Sequence, residues 1–229
     1  QMLSGSLSHD NQVGVELLSM VSEIYTYVIS AQVKYCKMDM KHPFLEQTYL
    51  NIAIFNRSMK KFADSLQMWK LLEGLQREMY GDDSYNLLFT LKNIGTCFLG
   101  VGNSDKAREY FEQCIELLEN CKTTKPEIVK KDKEEVSSLN QNLYLTFVSD
   151  RNYIAALEAS EKVVNIMSEL YGPRSKRLSS KYYQKANSLL NLRRREEAIE
   201  NILMAISIFE NPDPGPVEGE SSAVLVPAQ

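Results

Sequence analysis

Four segments of this 229-residue chain superimpose on one another in sequence, at offsets of 42, 49 and 42 residues. One repeated position holds Ala53, Gly95, Tyr144 and Ala186, and a second, twelve residues further on, holds Ser65, Ala107, Ala156 and Ala198. All but Tyr144 are small, as is required where two helix backbones cross closely. The repeat therefore predicts four hairpins of antiparallel helices, stacked into an all-α, right-handed superhelical solenoid.

The sequence around these repeats predicts four regions. We expect a flexible leader over residues 1–9 and a long helix over residues 10–41 that packs on the array, because apolar residues recur there at helical spacing. The hairpins should occupy residues 42–210. A change to Pro, Gly and acidic residues then predicts a flexible tail over residues 211–229.

The offset between the second and third hairpins is seven residues longer than the other two. We expect the extra length to form a longer loop or additional helical turns, because repeat proteins tolerate insertions at one edge. It is either a surface excursion without a role or a loop that contacts a partner.

Composition excludes several classes of partner. A net charge of -4 and a pI near 5.4 argue against nucleic acid, which usually requires a basic patch. The single basic cluster, Arg193-Arg194-Arg195, is interpreted as a solvated turn, with a local anion contact as the alternative. Membrane insertion is not expected, because no apolar run reaches about 18 residues.

The cysteines and histidines predict neither a metal site nor an active site. The four cysteines lie in apolar patterns without a CxxC pair, which favours buried thiols in a reducing, cytoplasmic compartment. His9 and His42 are too isolated to build a catalytic constellation, and Gly100-Val101-Gly102 lacks the spacing of a phosphate loop. We therefore expect no enzyme activity, no cofactor and no metal.

The residues that recur in the hairpins resemble those of the tetratricopeptide repeat family. The third hairpin shows the aromatic and alanine of the second helix as Tyr153 and Ala156. The period exceeds the basic 34 residues, His42-Pro43 opens one unit, and Tyr-Gly closes two others, at Tyr80 and Tyr171. These features are similar to the extended repeats of kinesin light chains. The resemblance implies that the first helix of each hairpin lines a concave, protein-binding face.

Amide side chains occupy one equivalent position of all four first helices, as Asn51, Asn93, Asn142 and Gln184. An amide offers both a donor and an acceptor, which suits the backbone of an extended peptide. In the same register, the neighbouring inward positions include Gln47, Leu50, Ile54, Phe89, Lys92, Thr96, Ser138, Gln141, Leu145, Ser180, Tyr183, Asn187 and Leu190. The alternative is that the amides bond to adjacent helices and stabilise the stack.

The sequence thus predicts a non-enzymatic adaptor whose concave groove binds a peptide or helical segment of a partner protein. The alternative is a structural scaffold that uses its convex face, its edges or the long N-terminal helix within a larger assembly. The apolar tail segment at residues 223–227 suggests a further possibility, namely that the tail binds the groove of its own or a neighbouring molecule. The other interpretation of this segment is a disordered end.

Overall fold

The computed structural model describes residues 20–34 apart from 22, 26, 32 and 33, and residues 43–120 and 126–213. The described residues between 20 and 34 are helical, and no strand occurs in any described range. The helices that follow are α1 (Pro43–Ser58), α2 (Phe62–Tyr80), α3 (Leu87–Gly100), α4 (Ser104–Asn120), α5 (Pro126–Ser149), α6 (Tyr153–Tyr171), α7 (Ser179–Asn191) and α8 (Arg195–Glu210), with a 3-10 turn at Lys176–Leu178. The predicted all-α fold is confirmed.

These helices pair in chain order as hairpin 1 (α1 and α2), hairpin 2 (α3 and α4), hairpin 3 (α5 and α6) and hairpin 4 (α7 and α8). The chain forms two compact units, unit 1 over residues 1–117 and unit 2 over residues 118–229. Unit 1 contains hairpin 1 and nearly all of hairpin 2, whereas unit 2 contains hairpins 3 and 4.

The four hairpins turn with the same backbone geometry. One residue of each turn adopts the left-handed backbone conformation. These residues are Lys60, Gly102, Arg151 and Arg193, with φ of 58°, 80°, 57° and 62°. In each turn the next residue donates its N–H to the carbonyl five residues back, as Lys61 does to Asn56 at 2.9 Å. This bond satisfies a carbonyl that the end of the first helix leaves without a partner. Only one of the four turns uses glycine, so the geometry of the turn repeats although its sequence does not.

The small residues at the helix crossings are buried. In hairpin 1, the hydroxyl of fully buried Ser65 donates to the Ala53 carbonyl across the crossing at 2.7 Å. In hairpin 2, a Cβ added at Gly95 would lie 2.6 Å from Cε1 of the buried Phe111 ring. At Gly95 the backbones therefore approach so closely that a side chain would have to displace the Phe111 ring.

Two departures from the repeat pattern are accommodated within unit 2. Tyr144, which replaces a small residue, is 4% exposed and donates its hydroxyl to the Gln184 carbonyl of hairpin 4 at 3.1 Å. Lys185, at a repeat position that the other hairpins fill with Ile52, Ile94 and Leu143, forms an ion pair with Glu161 at 3.0 Å. Both residues thus join hairpins 3 and 4.

Part of the insertion before hairpin 3 is helical. Helix α5 has 24 residues and α3 has 14, and the extra turns carry exposed Lys130, Lys131 and Lys133. Residues 1–19, 35–42, 121–125 and 214–229 lie outside the described ranges. They include the whole of the predicted leader, both ends of the predicted N-terminal helix, and the predicted tail after residue 213. The described start of the tail contacts Arg174, whose carbonyl accepts the Asp213 N–H at 3.2 Å.

Candidate functional site

The predicted binding residues form exposed stripes on the first helices. On α7, Ser180, Tyr183, Asn187 and Leu190 recur every three or four residues, and all four are exposed. On α1, Gln47, Asn51 and Ile54 follow the same spacing and are also exposed. Each stripe combines apolar groups with amides, so it offers a partner both contact area and hydrogen bonds.

The first helices α3 and α5 expose fewer of the predicted residues. Phe89 is 48% exposed and its ring packs edge-on against buried Trp69, with centroids 5.8 Å apart, so the ring is held at the surface of unit 1. Leu145 is 49% exposed on α5. The half-buried members are Leu50, Lys92, Thr96, Gln141, Asn142 and Gln184.

Asn93 differs from the other predicted amides because it is only 2% exposed. Its Oδ1 accepts a hydrogen bond from Arg57 Nη1 of hairpin 1 at 2.5 Å, and its Nδ2 donates to the Phe89 carbonyl at 2.7 Å. Both ends of the amide therefore bond within unit 1, as the alternative interpretation of the ladder expects. Asn51 also accepts a bond, from Gln47 at 2.9 Å, but this pair is exposed.

The two amides of unit 2 are not engaged in this way. The side chains of Asn142 and Gln184 form no hydrogen bond with the part of the chain that the structure describes. Val148 holds the repeat position of Arg57, so Gln184 has no counterpart of the bond that engages Asn93. Unit 2 therefore presents two half-buried amides whose donors and acceptors are available to a ligand.

Unit 2 also contains a cavity of about 270 Å³ between α5, α6 and α7. Two of the inward positions, Ser138 and Gln141, contribute to its wall. The other lining residues are Glu134, Ser137, Val163, Met167, Leu170, Tyr171 and Lys181. Sequence reasoning missed this cavity, although a lysine at position 181, where hairpin 2 has Thr90, was a signal that could have indicated it.

Charged and polar groups surround the cavity. Lys181 Nζ donates to Gln141 Oε1 at 2.8 Å, and burial lowers the pKa of this lysine. The Tyr171 hydroxyl donates to Glu134 Oε1 at 2.6 Å, and burial, followed by that bond, raises the pKa of Tyr171. Arg177 lies 4.3 Å from the centroid of the Tyr171 ring.

The described residues contain no group of three or more His, Cys, Asp or Glu side chains arranged to hold a metal ion. Cys97 and Cys114 are buried free thiols, and burial raises the pKa of Cys97. Both histidines, together with Cys36 and Cys121, fall outside the described ranges. Within those ranges, no helix has the length and apolar character that crossing a bilayer requires.

Family models described as tetratricopeptide repeat match residues 44–120 and 182–212. Among solved structures, the nearly identical TPR-like repeats of a Podosopora anserina protein described as a kinesin light chain share 15% identity and a TM-score of 0.66, over 89% of this chain and 92% of that one. BtubC (BKLC) from P. vanneervenii shares 14% identity and a TM-score of 0.67, over 96% and 84%.

A third similar structure is PlcR of Bacillus thuringiensis, in complex with the peptide PapR7 and DNA. It shares 19% identity and a TM-score of 0.53, over 87% of this chain and 69% of that one. Comparison with curated protein sequences gives no match. At these identities the structural likeness shows the fold alone, and that fold agrees with the resemblance drawn from the sequence.

Proposed function

Because this chain is a tetratricopeptide-repeat protein, we propose that it is a non-enzymatic adaptor that binds a segment of a partner protein along its first helices. The observation that supports this most is in unit 2. There, exposed Leu145, Tyr183 and Leu190 lie on the same helices as Asn142 and Gln184, whose amides bond to no described protein group.

This combination suits a peptide better than a folded surface. The amides offer donors and acceptors to the backbone of an extended or helical segment, independent of its sequence. Tyr183, which is 64% exposed, supplies the kind of large amphipathic side chain that dominates binding energy at protein interfaces. The PlcR structure, with its peptide PapR7, illustrates that a protein of similar fold holds a peptide.

The structure also changes which amides should be tested. Because Asn93 is bonded to Arg57 and to its own helix, we infer that it holds hairpins 1 and 2 together. We therefore assign ligand binding to Asn142 and Gln184 in unit 2, and to exposed Asn51 in unit 1.

The test is to select peptides from a random library displayed on phage and to measure their affinity for single variants. Asn142→Ala should weaken binding by about 0.5–1.5 kcal/mol, the usual net value of one hydrogen bond. Asn165→Ala is the matched control, because Asn165 is an exposed asparagine on the second helix α6. Equal affinities for the Asn142→Ala variant and the parent, with unchanged melting, would count against the groove.

A second candidate function, a scaffold within a larger assembly, is favoured by the exposed apolar face of helix α8. Ile199, Leu203 and Ile206 of α8 recur at helical spacing and are 55%, 60% and 47% exposed. Contiguous exposed apolar patches of this kind often mark contact sites between proteins. We propose that this α8 ridge packs against a helix of a neighbouring subunit if the chain acts as a scaffold.

Two variants distinguish the adaptor from the scaffold. Leu203→Glu should release assembly partners while leaving selected peptides bound, and Asn142→Ala should do the reverse. Leu71→Glu, at a 45% exposed leucine on α2, is the control for adding a charge to an exposed apolar position. A Leu203→Glu variant that retains every partner would argue against the scaffold.

A further inference from the structure

Three residues that line the cavity of unit 2 have counterparts in unit 1 that are bonded to one another. The two units align at an offset of 91 residues, which pairs Glu46 with Ser137, Gln76 with Met167, and Thr90 with Lys181. In unit 1 these side chains form a hydrogen-bonded chain. Gln76 Nε2 donates to Glu46 Oε1 at 2.7 Å, and the Thr90 hydroxyl donates to Gln76 Oε1 at 2.6 Å.

The carboxylate of Glu46 is part of that hydrogen-bonded chain. It also accepts the Tyr80 hydroxyl at 3.0 Å, so it bonds to two side chains of α2. At the equivalent place on α5, Ser137 is too short to reach α6. The tyrosine of unit 2, Tyr171, bonds instead to Glu134, three residues or nearly one turn earlier on the helix. The space that a carboxylate fills in unit 1 is therefore part of the cavity in unit 2.

Lys181 supplies a cation to this space without a matching anion. Its ammonium carries three donors, and in the described part of the chain it bonds to Gln141 alone and forms no ion pair. Lys181 is half-buried, and withdrawing an ammonium even partly from water is costly unless an anion pairs with it. The other charged lining group, Glu134, is exposed and already accepts the Tyr171 hydroxyl.

We propose that this cavity is a receptor for one acidic side chain of the bound partner, with Lys181 as its counter-ion. The inference rests on the proposed peptide-binding function, because Ser138 and Gln141 belong both to the cavity and to the inward face of α5. The partner's carboxylate takes the place that Glu46 holds in unit 1. Its methylene groups pack on Val163 and Met167, which form the apolar wall.

The dimensions of the cavity agree with a side chain as the occupant. A volume of about 270 Å³ is large enough to hold a carboxylate together with its methylene groups. Because the hydrogen bond to the ligand would be charge-assisted, it should be stronger than the bonds from neutral amides on the stripe.

The first experiment uses peptides that the parent protein selects from a random phage library. The proposal predicts an acidic residue at a fixed place in these peptides. In a synthetic peptide, replacing that Glu or Asp by its amide should weaken binding to the parent by about 10- to 100-fold, the range for hydrogen bonds to charged groups. Lys181→Met should lower the affinity for the acidic peptide by a similar factor. This variant should therefore bind the acidic peptide and the amide peptide with equal affinity.

Two further variants serve as controls. Lys162→Met removes an exposed lysine from α6 outside the cavity and should keep the full discrimination. Ser137→Glu restores within the chain the carboxylate that unit 1 has at this place, so it should block the acidic peptide. The same variant should raise the melting temperature of the free protein, and this gain should disappear when it is combined with Lys181→Met.

The outcomes separate the two proposals. Two results would overturn the acidic receptor and leave the adaptor proposal intact. The first is that the selected peptides contain no acidic residue, and the second is that Lys181→Met still binds the acidic peptide more tightly than the amide peptide. Failure to select any peptide would overturn both. Glutarate tests the other source of a carboxylate: displacement of the peptide by glutarate at equal concentration would assign the cavity to a free small anion and overturn the partner side chain.

Discussion

Replacing Gly95 by alanine tests the close helix crossing on which the fold depends. The added Cβ would lie 2.6 Å from Cε1 and 2.9 Å from Cδ1 of Phe111, whose ring is fully buried. Gly74 is the matched control. It is an exposed glycine in the interior of α2, and a Cβ there meets nothing within 4 Å.

The two substitutions should shift stability in opposite directions. Alanine gains about 1 kcal/mol over glycine in a helix, so Gly74→Ala should stabilise the protein by about that amount. At Gly95 the same gain is offset by overpacking, which costs about 1–3 kcal/mol. The difference between the variants therefore isolates the steric cost, and it should separate their melting temperatures by about 2–12 °C.

Thermal and urea denaturation, followed by the helical circular dichroism signal, measure this difference. Phe111→Leu provides a further check, because a smaller side chain should cost less in the Gly95→Ala background than in the parent. If Gly95→Ala stabilises the protein as much as Gly74→Ala does, the helices do not cross as closely as the structure places them.

Three other predictions concern turns, amides and charge. Gly102→Ala should destabilise the protein by about 1–2 kcal/mol in urea denaturation, because alanine disfavours the left-handed φ of 80°. Arg57→Ala should cost about 1–3 kcal/mol in the same assay, because it leaves the buried Asn93 oxygen without its partner. Burial lowers the folded-state pKa of Lys181, so its charge opposes folding at neutral pH and ceases to do so as pH rises through the unfolded value of about 10.4. The free energy of unfolding of the parent, relative to that of Lys181→Met, should therefore rise as pH increases from the folded-state pKa of Lys181 to its unfolded-state pKa. A difference that stays flat or falls would contradict a lowered pKa of Lys181.

The hairpins could be predicted from the sequence because their cause is local. Small residues at two repeated positions and helical spacing of apolar residues determine where helices form and cross. The same information predicts a turn between the two helices of each hairpin. It did not reveal that Lys60, Arg151 and Arg193 adopt the left-handed conformation of Gly102, because lysine and arginine do not by themselves indicate a positive φ.

The state of the candidate site depended on contacts between hairpins, which a repeat pattern does not specify. Asn93 and Gln184 hold equivalent positions, yet the first is bonded and the second is not, because Arg57 is replaced by Val148 one hairpin earlier. The cavity likewise arises from a single shortened side chain at Ser137, together with a lysine where hairpin 2 has Thr90. Such differences become visible only when each residue is compared with its counterpart 91 residues away.

The most direct test of the adaptor is the affinity of a selected peptide for two alanine variants of unit 2. Tyr183 lies on the first helix α7 and Ile154 on the second helix α6, and both are 64% exposed, so Ile154 is the control for losing an exposed side chain of unit 2. Tyr183→Ala should weaken binding by about 10-fold or more, as loss of an interface hot spot does, whereas Ile154→Ala should leave it unchanged. Full affinity for Tyr183→Ala, or a loss confined to Ile154→Ala, would contradict binding along the first helices.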